Sequence, residues 1–119
     1  MKSKIYLITI FVIVFSINLS ASVNDTLFVA FWNVENLFDT IDDPEKNDAE
    51  WLPDGEKEWT EERLEIKMNN LARIIRSMND NKGPDILGVC EVENETVLQI
   101  LIDNFLPDMN YEIGYAESP

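Results

Sequence analysis

The strongest constraint on this chain is the unbroken apolar run Leu27-Phe28-Val29-Ala30-Phe31-Trp32. Read as a strand, it points Leu27, Val29 and Phe31 to one side and Phe28, Ala30 and Trp32 to the other. A strand that is apolar on both sides is stable only when both are covered, which is the situation of a central strand in a layered fold. A second run of the same kind, Asp85-Ile86-Leu87-Gly88-Val89-Cys90, follows later in the chain. Two such strands exclude an all-helical bundle, and what lies between them decides the class.

Thr60 has the features of a helix cap, with Glu61 and Glu62 in the first turn, where the helix dipole favours negative charge. Leu64, Met68, Leu71, Ile74, Ile75 and Met78 then recur at helical spacing, which predicts about five turns with one buried stripe. Asn79 to Pro84 breaks this helix. Asn94 caps a second one, whose stripe is Val97, Leu98, Leu101, Ile102 and Phe105, and Pro107 stops it. Tyr111 to Tyr115 is expected to begin another strand. Residues 40–58 carry prolines, a glycine and many acids without a period, and read as a long, solvated surface loop. The order strand, loop, helix, strand, helix, strand is an α/β pattern with helices packed on a sheet.

Residues 1–22 stand apart. Lys2 and Lys4 precede an apolar stretch from Ile5 to Phe15, and small residues follow around Ser20-Ala21-Ser22. That layout predicts a secretory signal peptide cleaved after Ser22, and hence a secreted or periplasmic protein. The stretch is shorter than the roughly 20 apolar residues of a membrane-spanning helix, so no stable membrane span is expected after cleavage. Domain 23–119 remains, and its charge falls from the whole chain's -14 to -16 because two lysines and no acid are lost. Cys90 is the only cysteine; no internal disulfide can form, and its apolar surroundings suit a small core residue better than a nucleophile.

The charge and the missing histidines narrow the chemistry. With no histidine, this chain by itself offers no histidine base, no serine-histidine catalysis and no histidine-bound metal. Its acidity opposes direct binding to a phosphate backbone. A phosphate ester could be approached only through an intervening cation.

The two strands end on residues suited to holding one. Asn33 follows the first and Glu91 the second, and ligands of α/β folds gather beyond strand C-termini. A carboxylate beside an amide oxygen suits Mg²⁺ or Mn²⁺, which favour oxygen ligands and keep waters. On the pattern alone, a turn at Asn33 and the edge of the core at Glu91 account for the same residues. Glu95 reads as a dipole partner in the helix after Asn94, and Glu93 as a neighbour standing behind Glu91.

The two segments Phe31-Trp32-Asn33-Val34-Glu35-Asn36-Leu37-Phe38-Asp39 and Asp85-Ile86-Leu87-Gly88-Val89-Cys90-Glu91-Val92-Glu93-Asn94, in this order, resemble the endonuclease/exonuclease/phosphatase superfamily. The likeness is greatest to its exported bacterial members. It covers Leu27 to Pro119, with Trp59, Thr60, Lys67 and Asn70 fitting the family's intervening helix. Cys90 stands where many members have glutamine.

The resemblance implies a fold and a reaction. The fold is a four-layer α/β-β/α sandwich with a mixed sheet covered by helices, of which this chain would be the N-terminal half. The reaction is Mg²⁺-dependent hydrolysis of a phosphodiester, most characteristically by an endonuclease acting on nucleic acid or another phosphate ester through the metal ion. Asn33 corresponds to the asparagine that positions the phosphate and borders the metal, and Glu91 to the metal-binding glutamate. The family's catalytic histidines and aspartates belong to a later part that cannot be mapped here. A truncated domain, inactive without its C-terminal half, is therefore expected. The alternative is a secreted acidic calcium-binding module in which Asp39, Asp42, Asp43 and Asp48 hold Ca²⁺ and no chemistry occurs, although their spacing matches no calcium loop.

Overall fold

The computed structural model describes residues 26–117. The expected signal peptide, residues 1–22, lies outside them. Two parallel strands, β1 (Val29–Leu37) and β2 (Ile86–Val92), form the sheet. Helix α1 (Glu61–Asn81) makes the crossover between them, and α2 (Glu95–Ile100) follows β2 and continues into a π turn at Leu101–Phe105. The described residues thus form a small α/β unit. None of their helices is long and apolar enough to cross a membrane.

The strands are held in register from their first residues. Phe28 N–H donates to Asp85 Oδ2 at 2.7 Å, and Asp85 N–H returns to the Phe28 carbonyl at 2.9 Å. Val29 then pairs with Ile86, and pairing continues without a break to Asn33 and Cys90. Phe31 sits opposite Gly88, where a Cβ would lie 2.8 Å from the Phe31 ring, so the glycine makes room for the aromatic side chain. Beyond Asn33 the register jumps. β1 spends Val34, Glu35 and Asn36 where β2 spends Glu91 alone, and pairing resumes at Leu37 and Val92.

The helices match their expected starts. Thr60 Oγ1 accepts from Arg63 N–H, and Asn94 Oδ1 accepts from Val97 N–H at 2.8 Å, each satisfying a free N–H of a first turn. α1 loses helical geometry at Met78, and Asn79 and Asp80 turn left-handed, which is the break expected at Asn79. Gly83, with φ +77°, completes the exit in a conformation that favours glycine.

The core lies on the α1 side of the sheet. Leu64, Met68, Leu71, Ala72 and Ile75 from α1 meet Val34 and Leu37 of β1, Val97 and Leu101 of the second helical segment, and Leu106. Burying a side chain of this size contributes about 1.5–3 kcal/mol. The stripe differs from its expected form at three positions: Ile74 is exposed, Met78 is only half-buried, and Ala72 turns inward. Met78 lies where the helix ends and so leaves the stripe.

The opposite side of the sheet is uncovered. Leu27, Val29, Phe31 and Ile86 are all more than half exposed. The sequence requires cover on both sides of these strands, and the described residues supply it on one.

Two further expectations are corrected. Residues 111–115 form no strand. They alternate between half-buried and exposed as a strand would, yet a cavity of about 1180 Å³ lies between residues 110–117 and β2, so no ladder of hydrogen bonds joins them. Nor is segment 40–58 simply a solvated loop. Ala49–Trp51 forms a 3-10 turn, Trp51 stacks on Phe38 with centroids 4.9 Å apart, and Trp59 meets Trp51 edge-on. Trp59 Nε1–H donates to the Phe38 carbonyl at 3.0 Å. Asp48 is buried, with Oδ2 accepting from Asp43 N–H and Oδ1 unpartnered.

Candidate functional site

The register jump is the local event that builds the site. To accommodate three residues opposite one, Glu35 and Asn36 adopt φ 57°, and Glu91 adopts φ 60°. Asparagine tolerates this left-handed region, but glutamate does so at a cost of about 1–2 kcal/mol. Strain of that kind persists where surrounding contacts enforce it, and it concentrates at functional sites.

The contacts that enforce it are visible. Asn33 Oδ1 accepts from Glu35 N–H at 2.8 Å, closing a side-chain turn over the bulge. The other end of the same amide donates through Nδ2 to Glu91 Oε1 at 2.6 Å. Asn33 and Glu91, 58 residues apart in sequence, are thereby brought side by side at the bulge between neighbouring strands. The sequence reading has both residues offering oxygen to a cation. In the structure the Asn33 oxygen accepts from the Glu35 backbone with one of its two lone pairs, and its NH₂ donates to the carboxylate.

Glu93 stands behind the site and faces the loop. Its Oε2 accepts from Asp39 N–H at 2.9 Å, and Lys46 Nζ donates to its carbonyl at 2.8 Å. Burial pushes the Glu93 carboxyl above the ordinary carboxylate range, the Asp39 N–H opposes this, and the charges of Asp39 and Asp48 add to it. Asn94 Nδ2 donates to Asp39 Oδ2 at 3.0 Å while its oxygen caps α2, so one residue starts the helix and ties down the loop. Glu95 lies in the first turn of α2, as expected of a dipole partner. Cys90 is half-buried and unpaired.

Sequence reasoning placed Lys67 on the intervening helix but gave it no part in the site. Its ammonium donates to the Glu35 carbonyl in the bulge and lies 5.8 Å from the Trp59 ring centroid. Burial pushes its pKa below the usual lysine value, against the opposing pull of the Glu35 and Glu91 carboxylates. With Arg63, Asn70, Trp32 and Trp59 it lines a groove of about 480 Å³ that reaches Asn33. The sequence signal was present in a lysine one position before the buried Met68, at the edge of the apolar stripe.

The carboxylates of the calcium alternative do not converge. Asp39 Oδ1 accepts from Ile41 N–H, Asp43 Oδ1 from Glu45 N–H, and Asp48 Oδ2 from Asp43 N–H. Among the described residues no group of three or more His, Cys, Asp or Glu side chains is placed to hold a metal ion.

What remains is a pair, one glutamate steered by one asparagine, at the bulge between two parallel strands joined through a helix. The endonuclease/exonuclease/phosphatase family model matches residues 28–119, a span that contains both strands, the bulge and the pair. The chain belongs to the endonuclease/exonuclease/phosphatase family. Neither the curated proteins nor the solved structures yield a match to it. Members of the endonuclease/exonuclease/phosphatase family are phosphodiesterase- or nuclease-type hydrolases, typically dependent on a divalent metal, that act on phosphoester substrates such as nucleic acids.

The surroundings of the pair suit such a metal. Glu91 is exposed, and among the described residues its carboxylate has a single hydrogen-bond partner, on Oε1, which leaves Oε2 open. One carboxylate oxygen with free surroundings suits Mg²⁺, which is commonly held by one or two carboxylates and otherwise by water and substrate. The residues present fit a divalent cation.

Proposed function

We propose that this chain supplies the metal-binding carboxylate of a secreted, Mg²⁺- or Mn²⁺-dependent phosphodiesterase of the endonuclease type, and that it is inactive without further residues. The single observation that carries the reading is the 2.6 Å contact by which Asn33 holds the exposed Glu91 carboxylate at the bulge between the two strands. Glu91 holds the cation, and Asn33 keeps its carboxylate oriented. When bound, the cation would supply electrostatic stabilisation of charge developing on a phosphoryl oxygen. It also reconciles a formal charge of -14 with an anionic substrate, because it stands between the acids and the phosphate.

Three observations support the remaining parts. The uncovered face at Leu27, Val29, Phe31 and Ile86 is what one half of a four-layer sandwich would present to its second sheet. The absence of histidine removes the group expected to bind or protonate the phosphoryl oxygen, so hydrolysis is not expected from this chain alone. Export rests on the signal-like residues 1–22.

The test uses the purified protein. Mn²⁺ binding followed by electron paramagnetic resonance should show one site that Glu91→Gln removes. Hydrolysis of DNA or bis-nitrophenyl phosphate should be undetectable with Mg²⁺. Mg²⁺-dependent cleavage abolished by Glu91→Gln would overturn inactivity, and Mn²⁺ binding unaffected by that substitution would overturn the site.

A further inference from the structure

We infer that Lys67 is a positioning residue for the Glu91 carboxylate, acting from α1 through a chain of three hydrogen bonds. The inference rests on the reading of Glu91 as a cation ligand, and adds a residue to that site. The Lys67 ammonium donates to the Glu35 carbonyl, Glu35 N–H donates to Asn33 Oδ1 at 2.8 Å, and Asn33 Nδ2 donates to Glu91 Oε1 at 2.6 Å. Every link shares a residue with the next, and the middle one passes through the strained left-handed bulge.

The alternative use of a lysine here is a salt bridge, and the structure gives it none. Among the described residues Lys67 forms no ion pair with a carboxylate, although acids outnumber bases 23 to 9 in the chain. Its charge is instead directed at a neutral backbone carbonyl and backed by the Trp59 ring. Trp59 is itself fixed by its own N–H on the Phe38 carbonyl. Lysine at this position keeps Glu35 in place, the Glu35 N–H keeps the Asn33 amide from rotating, and the amide fixes one oxygen of Glu91. Removing Lys67 frees the first link, and it also removes a positive charge that the Glu91 carboxylate attracts. The Asn33 side-chain resonances therefore report the hydrogen-bond chain, and the metal affinity reports its net effect. Residues that orient a metal ligand in this way typically matter about 10- to 100-fold in metal affinity.

The test compares Lys67→Met, which keeps the apolar stem, with Lys67→Arg, which keeps a cationic donor, in the whole ¹⁵N-labelled chain. Two readouts are taken: the Asn33 side-chain NH₂ resonances without metal, and affinity for Mn²⁺ alone. In Lys67→Met the Asn33 resonances should move to the position of a free amide and exchange faster with water, and Mn²⁺ affinity should fall about 10- to 100-fold. Lys67→Arg should leave the Asn33 resonances in place. Unchanged Asn33 resonances in a folded Lys67→Met protein would overturn the inference. If Lys67→Met fails to fold, Lys67→Arg decides, and free-amide Asn33 resonances in that folded variant overturn it equally. Failure of the cation reading is distinguishable, since it appears as no Mn²⁺ binding by the wild type while its Asn33 amide stays protected.

Discussion

Asn33 and Glu91 meet at 2.6 Å because β1 uses three residues where β2 uses one. Asn33 still pairs with Cys90 just before the bulge. Without the bulge Val34 would pair with Glu91, and strand alternation would send the Glu91 side chain to the face opposite Asn33. The amide of Asn33 serves both sides of the arrangement, accepting from the Glu35 backbone and donating to the carboxylate. Asn33→Ala should therefore weaken Mn²⁺ binding about 10- to 100-fold. Asn33→Asp should bind Mn²⁺ better than alanine, because its carboxylate repels Glu91 only until a cation sits between them and then serves as a second ligand. Electron paramagnetic resonance titration of both variants checks the order.

Glu35 contributes its backbone to this arrangement through both its N–H and its carbonyl, at φ 57°. Glu35→Gly keeps both bonds and relieves the left-handed strain, partly offset by the added freedom of glycine in the unfolded chain. A gain of about 0.5–1 kcal/mol is expected in urea unfolding. A loss of stability would show that the Glu35 side chain matters more than its conformation.

Met68 is fully buried at the centre of α1, against Leu37 and the rest of the core. Met68→Ala should cost about 2–5 kcal/mol, from lost burial and the cavity left behind. Phe31, 75 % exposed on the uncovered face, should behave in the opposite way. Phe31→Lys should change stability by less than about 0.5 kcal/mol while reducing self-association in sedimentation.

Tyr111 donates its hydroxyl to the Pro84 carbonyl at 2.8 Å. Burial, and then the Asp85 carboxylate, push its phenol above the ordinary value of 10.0. The folded chain thus keeps this proton to higher pH than the unfolded chain does. The associated stability is fully present below pH 10.0 and is lost as pH rises through the raised folded value. Tyr111→Phe should lose about 0.5–1.5 kcal/mol near neutral pH and show a flatter decline in alkali. Thermal unfolding of both proteins between neutral and alkaline pH measures it.

The elements of this fold were legible in the sequence because each rests on short-range chemistry. Thr60 and Asn94 announce their helices by satisfying N–H groups three residues away. The apolar stripe of α1 follows from its period, and the break at Asn79 from a residue that tolerates left-handed geometry. The runs leading into Asn33 and Glu91 marked the residues of the site, and with them the family. Less visible was the strand length: β1 runs on to Leu37, past the polar residues that looked like its end, because Leu37 re-pairs with Val92 and is fully buried.

What the sequence determined by itself, then, was the α/β class, the two helices with their caps, and the pair of residues to watch. The tertiary structure decided how that pair works. Whether Asn33 offers its oxygen or its N–H depends on the register jump between strands, which no local pattern encodes. Whether Lys67 or Trp51 matters depends on what α1 and the loop are packed against. The same holds for Tyr111 to Tyr115, whose alternation suits a strand but which makes no ladder with β2. A strand requires a partner edge, and its hydrogen bonds exist only where another part of the chain is brought within reach of them.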